Sequence, residues 1–588
     1  MASRQWSRPV LAAAAALLAT LTVAGCVSMP SAGPVQSYPV TQGPTAQAQP
    51  YVQINYGPPQ PGWSPKEIVE GFLAASASFS DNGQVAREYL TQQASADWNQ
   101  FNVPVVVYKN GPNVDTPSVK ATSRRQTATV TIQGHIQANL SGNGSYAVAS
   151  ASEPSDLPVF DLVNSAGQWR ISVVPDQLLL TEDSFANDYQ LRNLYFFDPQ
   201  THYLVPDPVY VPLQATPAQL MDGLVKELIN QPPDWLADGG ATRTAFPAGT
   251  KLIGDVTLDG VTAVVNLGGA IAGASPSVMG QVSGQLLRTL SGVGQGGQAV
   301  TSIEVQQNGK PWPPPGSQGN PVQTQSKYAP AAYAPAAASG TFYYLGSGGL
   351  VFKQSGALGK PVQVARIGAQ FNQIAVSPDG KYLAALTEPE DLYTGPLGGT
   401  LAKRTGTGYT SLSWDTDDDL WVTENAQVEV LLQDNRMVPV SGIGGELDGV
   451  TSLQVAPDGV RVAMISGAEL EFGAISGLPG ARHDQPNARI SFSPFSVLSL
   501  YSFQAVTWYG PDNVITLAGP GPTPTVTEYP VNGGNPTQIS ELYGMESISA
   551  SSGSALIARL SNGHMAADAS LTGTWQTIAT GASPVYPG

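Results

Sequence analysis

The sequence predicts a multidomain chain: an α+β domain, an α/β domain and then an all-β propeller with six blades expected. Three observations predict it. From Thr341 to Gly588, pairs of short apolar strands recur at a period near 40 residues, each pair joined by a turn rich in Asp, Asn, Ser or Gly. Upstream, Ser64-Pro65-Lys66-Glu67 and Thr216-Pro217-Ala218-Gln219 are capping boxes with Pro at the first helical position, and strand-like runs follow each helix. Stretches rich in Pro, Gly, Gln, Ser or Ala, at 26–62 and 313–340, separate these blocks.

Residues 1–25 read as an export signal. Arg4 and Arg8 precede an apolar run from Val10 to Gly25, which is too short for a bilayer core that needs about 20 residues. The run ends in Val23-Ala24-Gly25-Cys26, which resembles a bacterial lipobox. That resemblance implies cleavage before Cys26, diacylglycerol on its thiol and acylation of the new α-amine. Two or three acyl chains hold a protein on a membrane where one does not. Lipid attachment at Cys26 is the one site expected, on the outer face of the cytoplasmic membrane. Residues 26–62 show no apolar periodicity and read as a flexible tether.

The first domain is placed at 63–185. Ile68, Val69, Phe72, Leu73 and Phe79 mark one helical face, and Val85 to Tyr89 predicts a second short helix. Strands are expected at Val103–Tyr108, Ala128–Leu140, Tyr146–Ser150, Val159–Val163 and Trp169–Val174. Helices followed by a curved antiparallel sheet suggest an α+β cone of the NTF2-like kind. Its carboxylates Asp81, Glu88, Asp97 and Asp161 show no acid/base spacing and read as loop or solvated-face residues.

The second domain is placed at 190–312. A hairpin (Leu194–Phe197, His202–Val205) precedes a helix with the apolar face Leu220, Leu224, Val225 and Leu228. Strands Ile253–Leu258 and Val261–Leu267 flank Asp259-Gly260, a hairpin signal. A helix from Pro276 to Leu290 should bury Val278, Val282, Leu286 and Leu290, and a strand at Ser302–Gln306 closes the domain. In the linker at 313–340, Tyr328 and Tyr333 are expected to be mobile.

The propeller is placed at 341–588. Aligned at Asp379, Asp418, Asp458, Asp512 and Ser552, its turns are 39, 40, 54 and 40 residues apart. The 54-residue interval suggests an insertion around Gly480 to Pro494. Three strands from Phe342 to Ala365 lack an inner partner, which Ala582–Tyr586 can supply to close the ring. Six blades follow, with five or seven also compatible with so degenerate a repeat.

Composition excludes several chemistries. Charged residues make up 12% of the 588 and the net charge is −17, which argues against nucleic acid and against charge-driven docking on anionic lipid. A single cysteine excludes an intramolecular disulfide and a cysteine zinc site, and His135, His202, His483 and His564 have no ligand spacing. No nucleophile elbow appears. Glu388, Glu390 and Asp391 read as an inter-strand loop, and Asp415, Asp417, Asp418 and Asp419 as a blade turn. Trp414, Trp421, Trp508 and Trp575 read as blade packing rather than sugar platforms. No cofactor, no metal and no catalysis are expected.

The stretch Phe246-Pro247-Ala248-Gly249-Thr250-Lys251-Leu252, with Gln285–Leu290 and Ser302-Ile303-Glu304-Val305, looks like a GerMN domain, a module associated with germination and sporulation proteins. Set between an N-terminal cone and a propeller, behind a lipobox, it makes the whole chain resemble the actinobacterial lipoprotein LpqB family. The resemblance implies a non-catalytic accessory to a sensor histidine kinase of an MtrA–MtrB-type two-component system. Such a protein would contact the kinase ectodomain and modulate envelope homeostasis and division. The alternative is a cell-wall glycan-binding protein or weak glycoside-acting enzyme, which requires a carboxylate pair about 5–9.5 Å apart in a groove with exposed Trp.

Overall fold

The computed structural model describes residues 57–588 except 78–82, 101–102, 123–125, 150–156, 214–215, 295–298, 325–332, 334–339, 389, 443–448, 478–489, 500–501, 535 and 540. The export segment, Cys26, the tether up to residue 56, Phe79, Asp81, Tyr328, His483 and residues 480–489 of the expected insertion therefore lie outside the described residues.

The first helix, Pro65–Ala77, starts where its capping box requires. The Ser64 N–H donates to Glu67 Oε2 at 2.7 Å, and the Glu67 N–H donates back to Ser64 Oγ at 3.4 Å. The Ser64 N–H, and after it the Ser64 hydroxyl that donates to the same Oε2 at 2.8 Å, hold the Glu67 carboxyl below its ordinary range. Ile68, Val69, Phe72 and Leu73 are buried against a curved sheet, with Phe72 edge-on to Phe160 and Trp98. The sheet runs Gln168–Val173, Val159–Ser165, Gln126–Leu140, Val105–Val114 and Leu178–Thr181, the last pair being parallel. The sequence reading placed nothing on that last strand, nor on the helix Glu182–Asp188 that follows it. Leu178, Leu179 and Leu180 are all buried, so the strand has no alternation to betray it.

The second domain begins with a longer hairpin than expected, Tyr189–Phe197 paired with Leu204–Pro212. Pro206, Pro208 and Pro212 sit in its second strand. They are tolerated because that strand pairs on one side only. The Thr216 capping box is complete and opens the helix Pro217–Ile229. The single strand expected at Ile253–Leu258 is instead two, Thr250–Leu252 and Thr257–Asp259. Gly254 at φ 69° breaks it, and the Val256 N–H turns away to donate to Asp222 Oδ1 at 2.6 Å. The helix Pro276–Leu290 connects the parallel strands Thr262–Gly269 and Ser302–Gln307, a βαβ unit. It buries Val282, Leu286 and Leu290, while Val278 is only partly covered. The linker is less irregular than its composition suggests. Val322–Thr324 adds to the sheet beside Ser302–Glu304. Tyr333, expected to be mobile, meets Phe197 edge-on at 4.9 Å, and its carbonyl accepts the Leu204 N–H at 2.8 Å.

Among the described residues, the strands from Thr341 onward fall into antiparallel sets of four. The first set joins Thr341–Gly346, Leu350–Ser355 and Val362–Arg366 to the terminal strand Ala582–Val585. Five more sets follow in chain order, the third and fourth merged through Val440 and Ile490. Each set's inner strand touches the next around a closed ring: Phe371–Val376, Tyr409–Trp414, Val450–Val455, Phe503–Tyr509, Met545–Ser549 and Ala582–Val585. Between Asp458 and Asp512 the strands Glu469–Ser476 and Ile490–Leu498 are long, and Pro494 lies inside the second rather than in an insertion.

A recurrent hydroxyl fastens this ring. An inner strand has a free edge, so its N–H groups need an acceptor once buried. Ser411 Oγ accepts the Leu453 N–H and Ser413 Oγ the Val455 N–H, both at 2.9 Å. Thr507 Oγ1 accepts the Ala550 N–H, Ser549 Oγ the Tyr586 N–H, and Ser583 Oγ the Ile374 N–H. Replacing Ser413 with Ala strands a buried N–H. We expect a loss of about 1–3 kcal/mol, read as a lower urea midpoint for the propeller; an unchanged midpoint would show that the clasp is energetically idle.

Candidate functional site

The sequence-named residues do not assemble into a reaction centre. Glu88, Asp97 and Asp161 are exposed, the last accepting from Thr129 Oγ1 at 2.9 Å. Asp391 pairs with Lys403 at 2.6 Å. The Asp415 to Asp419 run is a folded turn: Asp415 Oδ1 accepts the Asp417 and Asp419 N–H groups, Oδ2 accepts the Trp421 indole at 2.9 Å, and Asp419 Oδ1 accepts the Gln433 N–H. Burial, then the nearby Asp379 carboxylate, pushes Asp418 up to about 6. Among the described residues no group of three His, Cys, Asp or Glu is placed to hold a metal ion. Trp414, Trp421 and Trp508 are buried, and the Trp508 indole donates to the Gln454 carbonyl at 3.0 Å. Trp575 is partly buried against the last blade core.

Two features that the sequence reading missed stand out. The first is a cavity of about 370 Å³ on the propeller axis. It is lined along the inner strands, by residues such as Gln373, Thr410, Thr451, Gln504, Ser547 and Tyr586, with the Glu546–Arg559 ion pair at 3.3 Å. No tryptophan lines it.

The second is a buried junction between the Tyr189–Pro212 hairpin, its neighbours and the propeller turns. Trp235, on the one-turn helix Asp234–Ala237, stacks on Phe495 with centroids 4.2 Å apart and planes at 16°. Asn193 Nδ2 donates to Asp512 Oδ2. The first domain joins in: Tyr146 and Phe185 pack on Tyr210, and the Tyr210 N–H donates to the Gly144 carbonyl at 2.8 Å. Val148 faces Gly533, where a Cβ would come within 2.8 Å of it.

Arg461 is the centre of this junction. Its Nε meets Asp458 Oδ2 at 2.8 Å, Nη2 donates to the Pro511 carbonyl, and the guanidinium lies 5.1 Å from the Trp508 ring centre. Both members of the ion pair are almost fully buried. Burial raises the Asp512 carboxyl and raises Asp207 to about 7, with Arg461 pulling each partly back. The signal was present in the repeat. The second strands begin with Tyr382, Leu420, Arg461, Asn513 and Leu556 in the sets after the first, and one of these is a cation.

The junction meets the turns that follow the inner strands, at Thr416, Asp458–Val460 and Pro511–Asp512, whereas the cavity is lined along the inner strands themselves. The two upstream domains thus dock on these turns and on the outer strand Ile490–Leu498, and among the described residues none of theirs lines the cavity. Among the described residues no helix is long and apolar enough to cross a membrane.

Three family models match the chain. "Lipoprotein LpqB, N-terminal domain" covers residues 58–186, "Sporulation and spore germination" 193–312, and "Lipoprotein LpqB beta-propeller domain" 348–587. Lipoprotein LpqB of Thermobifida fusca (strain YX) is 30% identical, over 99% of this chain and 100% of that protein. Lipoprotein LpqB of Streptomyces avermitilis is 28% identical over 96% of each. A chain of a nidogen/laminin complex covers 42% of this chain and 97% of its own length, at 11% identity and TM-score 0.32.

Proposed function

The chain belongs to the LpqB lipoprotein family, and from that premise we propose that it is a lipid-anchored, non-catalytic accessory of a sensor histidine kinase. In this reading Cys26 holds the protein on the outer face of the cytoplasmic membrane. The propeller contacts the extracytoplasmic part of a kinase of the MtrA–MtrB type and modulates its signalling in envelope homeostasis and division. The observation that carries the reading is the docked arrangement. The upstream domains pack on the turns after the inner strands and on the outer strand Ile490–Leu498, and among the described residues none of theirs enters the axial cavity, so in this reading the inner-strand surface and its rim serve as the recognition face. Nothing in the junction or the turn carboxylates supports bond cleavage: Asp415 and Asp419 accept backbone N–H groups and Asp391 is neutralised by Lys403.

Crosslinking in cells, followed by mass spectrometry of captured partners, tests it. A kinase ectodomain should be recovered with the full chain and lost when the propeller is deleted. Cys26→Ser should release the protein from the membrane fraction and reduce that capture. Recovery of wall glycan alone would overturn the reading and return attention to carbohydrate.

A further inference from the structure

The junction between the hairpin and the propeller buries more carboxylates than cations. Asp207 comes from the hairpin, Asp458 and Asp512 from the propeller; Asp207 and Asp458 are nearly inaccessible to solvent, and Asp512 is half-buried with its Oδ1 turned inward. Arg461 is the cation among them. Arg288 lies farther off, over the Tyr195 ring at 5.0 Å, and acts more weakly on Asp512. One guanidinium cannot neutralise three ionised carboxylates in a water-poor site, and an uncompensated buried charge is removed by taking up a proton.

The hydrogen bonds agree with that count. Asp458 is fully engaged: Oδ1 accepts the Val460 and Arg461 N–H groups and Oδ2 meets Arg461 Nε. Asp512 Oδ2 accepts from Asn193, while Asp207 Oδ1 and Asp512 Oδ1 meet no donor among the described residues. Asp458 therefore holds the guanidinium, and the surplus charge falls on Asp207 and Asp512, one on each side of the domain boundary.

We propose that this junction is a proton-linked latch: a proton held at the Asp207 carboxyl secures the docking of the hairpin domain on the propeller, and ionisation of Asp207 weakens it. The groups facing Asp207 set the direction. The Trp235 indole and Arg461 favour the anion, Glu227 opposes it, and burial outweighs all three, so the carboxyl rises to about 7 when docked. Undocking returns it to water and to an ordinary value of about 4. The docked state thus binds the proton more tightly. Docking is favoured at low pH, weakens about tenfold per pH unit as pH rises from about 4 to 7, and is flat above that. The latch adds regulation to the kinase-accessory reading but does not depend on it, because it concerns only how this chain's domains hold each other.

The test is pulsed electron-spin distance measurement on the full chain in detergent, between labels at exposed Val261 and Leu358, from pH 5 to 8.5. The docked distance should dominate at pH 5. A second, broader population should grow to about pH 7 and then level off. Asp207→Asn should keep a single docked population throughout the range. A wild-type distribution that does not change with pH overturns the latch, and so does an Asp207→Asn chain that broadens as the wild type does. If Asp207→Asn fails to fold, Glu227→Gln decides. Removing that charge should bring the plateau to lower pH, and an unmoved plateau counts against the proposal. Capture of a kinase partner is read separately, so either idea can fail alone.

Discussion

Replacing Arg461 with Leu should destabilise the propeller by about 3–5 kcal/mol. The side chain is nearly inaccessible, and its loss leaves Asp458 with a buried, uncompensated charge. It also removes the bond to the Pro511 carbonyl, which ties one turn to the next, and the cation lying over Trp508. Asp207 loses the positive neighbour that partly offsets its burial, and Asp512 is left with the weaker Arg288. The measurement is the urea midpoint followed by tryptophan fluorescence and far-UV circular dichroism. Adding Asp458→Asn to the Leu variant removes the stranded charge and should recover part of the loss. If the double change costs the sum of the two single changes, the pair is not coupled and this account of the junction fails.

How much of this was legible in the sequence depends on the physics that carries each part. The two capping boxes at Ser64 and Thr216 were readable because a cap is a local bond between residues three apart. The helix Pro276–Leu290, the strands on either side of it and the paired strands of the propeller followed from apolar periodicity, while the parallel pairing that makes the former a βαβ unit did not. The buried strand Leu178–Thr181 was not readable, since a strand covered on both faces looks like any apolar run. Gly254 interrupted a strand that periodicity alone would have continued. Tyr333 was misjudged because composition describes the solvation of a linker and not the groove beside Phe197 into which it falls.

The site was less legible than the fold. Asp207, Trp235, Arg461 and Asp512 are spread over three hundred residues and meet only because two domains dock. No spacing rule reports such a meeting. The hydroxyl clasps were closer to the surface of the sequence. Ser411 and Ser413 lie just ahead of Trp414, and Thr507 just ahead of Trp508, so a small hydroxyl beside an inner-strand aromatic was a repeated pattern whose purpose needed the ring to be seen.

Removing residues 582–588 should be the most disruptive change to the propeller short of deleting a whole set of strands. The segment completes the first sheet, with Tyr343 opposite Val585 and Leu345 opposite Ala582. It also fastens two other sets: Ser583 Oγ accepts the Ile374 N–H at 2.9 Å, and the Tyr586 N–H donates to Ser549 at 3.1 Å. Tyr586 packs on Phe342, and its hydroxyl donates to the Ala555 carbonyl at 2.8 Å. Loss of one buried aromatic alone costs about 3–5 kcal/mol. The truncation adds a bare edge along Thr341–Gly346, and an apolar strand edge is a template for pairing with another chain. The expected result is a propeller that melts at least 10 °C lower, taking about 2–4 °C per kcal/mol for a unit of this size, together with oligomers in size-exclusion chromatography with light scattering. The first domain should keep its own transition, because its core is built from its own helices and sheet, whereas the second domain, whose core includes Val460 and Ala474 of the propeller, should shift with it. A monomer with an unshifted propeller transition would mean that the ring is held by its inner-strand clasps and not by the closure of its first sheet. Tyr586→Ala separates the two terms, since it removes the aromatic while leaving the strand and its backbone pairing in place.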